Sequence, residues 1–108
     1  MIRDLFAGSL IVSNFLLCFF SLSSYAEDTS YAKLREVKAW TTKIDLYYEN
    51  NQEHQCLGGL KTRYLIKPDM SNHISLVYTA YAAGHIVSLS YSCGDDGFPW
   101  VVGVRVKQ

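Results

Sequence analysis

Residues 74–91, ISLVYTAYAAGHIVSLSY, decide the predicted fold because the spacing of the apolar side chains changes within them. In the first part the apolar residues recur at intervals of three and four, which is typical of a helix with one buried face. Gly84 then stands where a left-handed C-terminal cap is favoured, and the second part alternates apolar and polar residues. The stretch predicts a helix at residues 72–83, capped by Asp69 or Ser71, followed directly by a strand.

Three extended segments are predicted before this helix. Alternating apolar and polar residues predict the first as one long half-buried strand, preceded by a frayed N-terminal arm at residues 27–34. The third ends at Lys67-Pro68, because proline disfavours further strand pairing. The three segments are Glu36–Tyr48, a short extended piece at residues 54–57, and Thr62–Ile66.

Two further strands are predicted after the helix, at residues 85–91 and Trp100–Val106, with a loop at residues 93–97 between them. Gly103, inside the last strand, is expected to mark a bulge or a barrel corner. The element order is then β-β-β-α-β-β, which is the order of the OB-fold. We therefore predict a mainly β domain, a five-stranded OB-fold-like barrel with one helix between the third and fourth strands. A generic α+β sheet with the helix across one face is the alternative.

Residues 1–26 are predicted to be a cleaved secretory signal peptide. A mostly apolar stretch runs from Leu10 to Leu22, and small residues at Ser24 and Ala26 fit cleavage after Ala26. The alternative is a membrane anchor, for which the apolar stretch is short against a bilayer core of about 30 Å. Residues 27–108 are then one small domain, secreted or periplasmic, with no membrane span.

Composition and charge exclude several classes of function. The chain carries Lys+Arg 10 against Asp+Glu 10, so no overall charge attracts nucleic acid. With 49% hydrophobic and 19% charged residues it has the composition of a packed globular protein rather than a disordered one. A length of 108 residues allows one domain, which excludes a large multi-domain enzyme.

Cys56 and Cys93 are predicted to form a disulfide. Cys18 lies in the predicted signal peptide, which leaves an even pair of cysteines in an exported chain. The chain-entropy model assigns such a bridge a stabilisation of roughly 4 kcal/mol. Free thiols and a shared metal ion are the alternatives, and metal is disfavoured because there is no CxxC pair or zinc-like histidine spacing.

No sequence pattern predicts catalysis or metal binding. The sequence contains no G-x-S-x-G nucleophile elbow for which a histidine could act as the general base. The histidines of the predicted domain are His54, His73 and His85. Asp95-Asp96 lacks the spaced oxygen ligands of a calcium loop. We expect no catalytic residue, no metal ion and no cofactor.

The many aromatic residues indicate a binding surface, because a small barrel cannot enclose all of them. Tyr47 faces away from the apolar stripe of its predicted strand, and Trp100 follows Pro99 at the start of another. Exposed aromatic rings stack on the C–H patches of sugars, so Tyr47 and Trp100 are the candidate ligand-binding residues. The alternative is that both rings fill the core or a subunit interface.

The predicted helix, its glycine stop and the next strand, together with Cys93 and Pro99-Trp100-Val101, resemble the C-terminal half of pertussis-like and subtilase-type toxin B subunits. The resemblance implies a small exported OB-fold with an intrachain disulfide. It also implies a homo-oligomer, a pentamer, whose centre is lined by the helix, and a glycan on the outer barrel surface. The small helix residues that would then meet at the subunit interface are Ser75, Thr79, Ala82 and Ala83.

The expected function is therefore that of an exported, non-catalytic binding module that recognises a glycan or a protein surface. One alternative is a periplasmic inhibitor or immunity protein that covers a partner's active site with an exposed loop such as Gly94–Phe98. Another is a small envelope-stress OB-fold barrel with no ligand of its own. All three require only a stable barrel and a surface patch, so the sequence leaves them open.

Overall fold

The structure, a computed structural model, describes residues 26–108. Residues 1–25, which make up nearly all of the predicted signal peptide, lie outside the described residues. The elements in chain order are β1 (Glu27–Asp28), β2 (Ala32–Ala39), β3 (Ile44–Tyr48), β4 (Arg63–Ile66), α1 (Ser71–Ala83), β5 (Ile86–Cys93) and β6 (Pro99–Lys107).

Strands β2 to β6 close into a barrel. β2 pairs with β3 and β3 with β4, β4 runs parallel to β6, and β5 joins β6 back to β2. The short β1 adds to β5 beside β2, with Glu27 opposite Tyr91. This order, with the helix between the third and fourth barrel strands, is that of an OB-fold. The predicted five-stranded, mainly β barrel is confirmed, and the alternative of an open α+β sheet is wrong.

The barrel interior combines aliphatic side chains with three buried tyrosines. Tyr48, Tyr64 and Tyr91 meet edge to face, with ring centroids 5.6 Å apart for the first two and 5.2 Å for the last two. The Tyr48 hydroxyl donates to the Val87 carbonyl oxygen at 2.9 Å. Burial raises the pKa of Tyr48 to about 12, and it raises the pKa of Tyr64 as well. Both phenols therefore remain neutral donors at physiological pH.

Helix α1 packs on β2, β5 and β6 and buries Val77 and Ala80. Its predicted range and its C-cap are confirmed, since Gly84 has φ 70° and ψ 26°. The predicted side-chain cap is wrong. Met70 is the N-cap residue and no side chain bonds to the first turn, so neither Asp69 nor Ser71 caps the helix.

The predicted single strand at Glu36–Tyr48 is wrong, because it contains a turn. Residues 40–43 connect β2 to β3, and the Trp40 amide donates to the Lys43 carbonyl oxygen at 2.8 Å. Ala39 pairs with Ile44 across a turn of even length, so the alternation continues through it. The predicted frayed arm at residues 27–34 is also wrong, since it contains β1 and the start of β2.

The predicted extended piece at residues 54–57 is not a strand. His54 and Cys56 are buried and alternate with exposed neighbours, which explains the sequence pattern. These residues are held by individual contacts in an irregular loop between β3 and β4 rather than by a strand ladder. Alternation of burial therefore does not require a strand here.

Two further predictions are confirmed. Cys56 and Cys93 form a disulfide across 37 sequence positions, with a Cα–Cα distance of 5.5 Å. The β5–β6 register shifts where Ser90 faces Gly103 and Tyr91 faces Val101, so a bulge lies at the predicted glycine. Because of the bulge, Val101 before it and Val104 and Val106 after it all pack on the core, while Val102 is exposed.

Candidate functional site

The strand directions separate the connections into two ends of the barrel. The loop after β3 and the turn after β5, residues 94–98, follow strands that run the same way, so they meet at one end, called here the loop end. The β2–β3 turn at residues 40–43 and helix α1 lie at the opposite end, called here the helix end. The disulfide joins the two connections of the loop end.

At the loop end, residues 56–60 form a constrained loop, called here the clamped loop. Its first residue carries the disulfide, and the Lys61 ammonium group donates to the Cys56 carbonyl oxygen at 2.7 Å. The Gly58 amide donates to the Gly97 carbonyl oxygen at 2.9 Å, which links the clamped loop to the turn after β5. The Arg63 amide donates to the Leu60 carbonyl oxygen at 3.2 Å. One covalent bond and backbone hydrogen bonds along its length therefore fix this loop.

The two glycines of the clamped loop are required by space and backbone conformation. Gly59 has φ 75°, which favours glycine, and a methyl group there would lie 2.6 Å from an Arg63 guanidinium nitrogen. A methyl group at Gly58 would lie 3.1 Å from both the Gly97 carbonyl oxygen and the Phe98 ring. The Cys-Leu-Gly-Gly-Leu sequence thus allows two loop segments to lie against each other.

The clamped loop exposes two leucines, called here the apolar tip. Leu57 is 97% exposed and Leu60 is 59% exposed. Half-buried Phe98 lies against the two glycines between them, with the Arg63 guanidinium 6.0 Å from its ring centroid. Isolated exposed leucines are ordinary on protein surfaces, but two on one rigid loop beside an aromatic ring form a patch.

His54 hydrogen-bonds to the first and last residues of the clamped loop. It is buried, with its ring in edge contact with Tyr64 and Tyr91. Its Nδ1 accepts from the Cys56 amide at 3.1 Å, so Nε2 carries the proton and donates to the Leu60 carbonyl oxygen at 2.8 Å. Burial lowers the pKa of His54 from its usual 6.5, and the nearby charge of Lys61 acts in the same direction. The ring is a structural support, and neither of its nitrogens is free to act as a base.

The two predicted ligand-binding aromatics are both half-buried, and each has a cation near its ring. Arg35 lies 5.6 Å from the ring centroid of Tyr47, and Lys67 lies 5.7 Å from that of Trp100. The Trp100 indole N–H donates to the Asp96 carboxylate at 3.1 Å. The structure does not bring the two rings together as one platform, since Tyr47 lies on β3 and Trp100 on β6.

Asp95 and Asp96 lie in the turn after β5, at the loop end. The Phe98 amide donates to the Asp96 carboxylate, which with the Trp100 indole holds the pKa of Asp96 below its usual range. Within residues 26–108, no three histidine, cysteine or acidic side chains group closely enough to hold a metal ion. The carboxylate of Asp96 therefore has a structural role in shaping the turn.

At the helix end, α1 exposes most of its surface. All four predicted interface residues, Ser75, Thr79, Ala82 and Ala83, are exposed. Three larger side chains are exposed beside them, with Tyr81 at 44% and both Leu76 and Tyr78 at 41%. No Asp, Glu, Lys or Arg occurs from Ser71 to Ala83. A surface helix ordinarily carries charge on its outer face, so this uncharged face is unusual for a helix in water.

An open polar cavity of about 460 Å³ lies between the N-terminal arm and residues 51–53. The hydroxyl groups on its floor are already bonded, Tyr64 to the Gln52 carbonyl oxygen and Tyr91 to the Glu27 carboxylate. No buried side-chain nitrogen or oxygen in the described part of the chain lacks a hydrogen-bond partner. The cavity therefore provides no unsatisfied buried group that would orient a ligand.

Comparison of the chain with protein-family models, with curated proteins and with solved structures finds no match. Among residues 26–108, no helix has the length and apolar character needed to cross a bilayer.

The sequence predicts the disulfide and the range of the helix, but it does not predict the apolar tip or the burial of His54. The available signal was Gly58-Gly59 between Leu57 and Leu60, directly after a disulfide cysteine. A glycine pair by itself indicates only a break between extended segments. The second effect of this pair, the close approach of the turn after β5, depends on contacts distant in sequence.

Proposed function

We propose that the protein is an exported, non-catalytic binding module that assembles into a homo-oligomer through helix α1. In this proposal the outer barrel surface recognises a glycan or a protein on another surface. The observation that carries the proposal is the uncharged, exposed face of α1, which lacks Asp, Glu, Lys and Arg along its 13 residues. Burying this face against a second copy would desolvate no charge, and its small residues allow close approach of two helices.

The non-catalytic part of the proposal is supported by how the reactive side chains are used. Both ring nitrogens of His54 are bonded to the clamped loop, and the Ser88 hydroxyl donates to the Thr29 carbonyl oxygen at 2.7 Å. The Ser90 hydroxyl donates to Asp28. These groups stabilise the fold and form no nucleophile–base pair with one another.

Export is supported by the signal-like N-terminal sequence and by the disulfide. Bridges of this kind persist in oxidising compartments. We propose that the signal peptide is cleaved after Ala26, so that the exported protein begins with Glu27, the first residue of β1. The exported protein should then have the mass of residues 27–108 less two hydrogens for the bridge, and a larger mass would contradict the cleavage.

The assembly is tested by measuring the mass of the exported protein by light scattering at micromolar concentration. We expect an oligomer, with a closed pentamer as the form implied by the resemblance to toxin B subunits. Thr79→Lys adds a charge to the exposed helix face without a helix breaker and should dissociate the oligomer. Val102→Lys adds the same charge on the barrel wall, where the side chain is 48% exposed, and should leave the oligomer intact. A monomeric mass for the parent protein would contradict the proposal.

A second candidate function is inhibition of a partner protein by an exposed loop. It is favoured by the rigidity of the turn after β5, where the Gly97 amide donates to the Gly94 carbonyl oxygen at 2.9 Å and the Gly94 amide donates to that of Phe98. A loop that is already ordered loses little conformational entropy when it binds. This candidate predicts a monomer that co-purifies with one tight protein partner, whereas the leading proposal predicts a homo-oligomer.

A further inference from the structure

The apolar tip at the loop end is a convex feature made of side chains that this chain does not cover. Leu57 is 97% exposed at the outermost part of the clamped loop, and Leu60 follows three residues later. The disulfide and the contacts of Gly58 and Gly59 with the turn after β5 keep the tip from folding back onto the barrel. The tip is therefore presented in a fixed position, and ordering it on binding requires little further loss of entropy.

Two cationic side chains, those of Lys61 and Arg63, follow the apolar tip in the chain and form no ion pair with a carboxylate among the described residues. The ion pairs found within residues 26–108 involve Asp45 and Asp28, and neither Lys61 nor Arg63 takes part in them. Lys61 uses one donor on the Cys56 carbonyl oxygen, which leaves two for other acceptors. A group of anionic acceptors in front of the tip would complement these cations.

The carboxylates of the loop end are placed differently. Asp96 is exposed in the turn after β5, and its carboxylate accepts from the Phe98 amide and the Trp100 indole. Asp95 is exposed in the same turn, and Glu53 is exposed on the chain leading to the clamped loop. Neither residue belongs to the clamped loop itself, whose immediate base carries the two cations.

Two aromatic residues lie at the loop end, Phe98 against the clamped loop and Trp100 at the start of β6. Phe98 contacts Gly58 and Gly59, and Trp100 is two residues further along β6. Exposed leucines, aromatic rings and Lys and Arg side chains are the residue types found together where a protein meets a membrane interface. A bilayer accepts a convex apolar tip without a matching pocket, whereas a protein partner would have to supply one.

From these observations we infer that the loop end binds the surface of a lipid bilayer with anionic headgroups. Leu57 and Leu60 enter the apolar boundary of the bilayer, Phe98 and Trp100 lie at headgroup level, and Lys61 and Arg63 contact the anionic headgroups. The barrel remains outside the bilayer. The inference does not rest on the proposed oligomer, because helix α1 lies at the other end of the barrel.

Cosedimentation with lipid vesicles tests this inference. The exported protein is used after its mass has verified that residues 1–26 are absent, since an uncleaved apolar segment would bind lipid by itself. We expect binding to vesicles of phosphatidylcholine mixed with phosphatidylglycerol, and weaker binding to phosphatidylcholine alone. Leu57→Ser combined with Leu60→Ser should lower the partition coefficient by at least about tenfold.

Val102→Thr is the matched control for the vesicle experiment. It removes apolar surface from a 48% exposed side chain on the barrel wall and should leave the partition coefficient unchanged. All variants are compared only when their unfolding midpoints match that of the parent. Absence of binding to the anionic vesicles, or equal binding by the double serine variant, would overturn the inference. Binding through the tip to a protein and not to vesicles would overturn it too.

The two tryptophans provide a second readout, because one lies at each end of the barrel. Brominated phosphatidylcholine quenches a tryptophan only at close range, so it should quench Trp100 at the loop end and leave Trp40 at the helix end unaffected. We expect quenching of the parent protein and its loss in Trp100→Phe, which retains Trp40. Quenching that persists in Trp100→Phe would place the other end on the lipid and overturn the inference.

Discussion

The two ends of the barrel expose apolar side chains in opposite ways. At the helix end, a regular element presents a broad uncharged face and packs on the barrel through buried Val77 and Ala80 and partly buried Ile74. At the loop end, an irregular segment presents a narrow tip and is held by a disulfide, by His54 and by backbone hydrogen bonds to the neighbouring turn. A helix bonds most of its own backbone N–H and C=O groups, whereas an irregular loop must obtain its rigidity from covalent and long-range contacts.

The largest difference between the ends should appear when the disulfide is removed. Cys93→Ser is expected to lower the free energy of unfolding by about 4 kcal/mol, because it releases the loop-closure constraint on the unfolded chain. Cys93 is preferred to buried Cys56 because its side of the bridge is exposed. The measurement is urea denaturation of the variant beside the parent protein with and without reductant. A loss below about 1 kcal/mol would show that hydrogen bonds alone fix the clamped loop.

At the helix end, the anchoring of α1 is tested by comparing two adjacent residues. Val77→Ala should lower the free energy of unfolding by about 2 kcal/mol, because it leaves a cavity at a fully buried site. Leu76→Ala removes a larger but 41% exposed side chain and, in protein diluted until it is monomeric, should change the free energy of unfolding by less than about 0.5 kcal/mol. Thermal or urea denaturation gives both values. Equal losses would mean that the outer face of α1 is as buried as its inner face.

Two glycines with nearly the same backbone conformation allow a direct comparison of the ends. Gly84→Ala at the helix end meets φ 70° but no atom within 4 Å, so it should cost about 1 kcal/mol. Gly59→Ala at the loop end meets φ 75°, the movable end of the Arg63 side chain and the Phe98 ring at 3.1 Å, so it should cost more, about 2 kcal/mol. The quantity measured is the free energy of unfolding. A larger loss for Gly84→Ala would reverse the expected order and contradict the close contact at Gly59.

The smallest expected effect is a pH dependence that belongs to the loop end. Because the pKa of His54 is lowered by folding, the unfolded chain binds a proton more readily than the folded one. The contribution of neutral His54 is therefore fully present above the usual pKa of 6.5 and is lost as pH falls from there through the lowered pKa of the folded state. Denaturation at a series of pH values should show this loss in the parent and a weaker one in His54→Gln. Identical profiles for the two proteins would show that the ring does not titrate with unfolding.

The features that the sequence predicted correctly are local ones. The helix follows from its period and from Gly84, and the last two strands follow from alternation, because neighbouring residues determine both patterns. The turn at residues 40–43 was missed because Trp40-Thr41-Thr42-Lys43 contains no glycine or proline. It is fixed instead by a buried carboxylate, Asp45, which accepts from the Trp40 indole at 2.8 Å and from the Lys43 ammonium group at 2.9 Å.

The candidate surfaces were predictable to different degrees for the same reason. Four exposed residues of α1, Ser75, Thr79, Ala82 and Ala83, could be named from helical spacing, but the exposure of Leu76, Tyr78 and Tyr81 beside them could not. The apolar tip could not, because its exposure depends on the contact of Gly58 with Gly97 and on the position of His54 beneath the loop. Tyr47 and Trp100 could be named from the sequence as candidate exposed aromatic residues. The cation near each ring could not, because residue spacing alone does not reveal it.

Hydroxyl-radical footprinting of the exported protein at micromolar concentration tests the central claim most directly, namely that the helix end is covered by another copy while the loop end stays accessible. We predict that Leu76, Tyr78 and Tyr81 are modified far more slowly than their exposure in a single chain implies. We predict rapid modification of Leu57 and Leu60 in the same sample. Rapid modification of the three helix residues as well would contradict the assembly through α1.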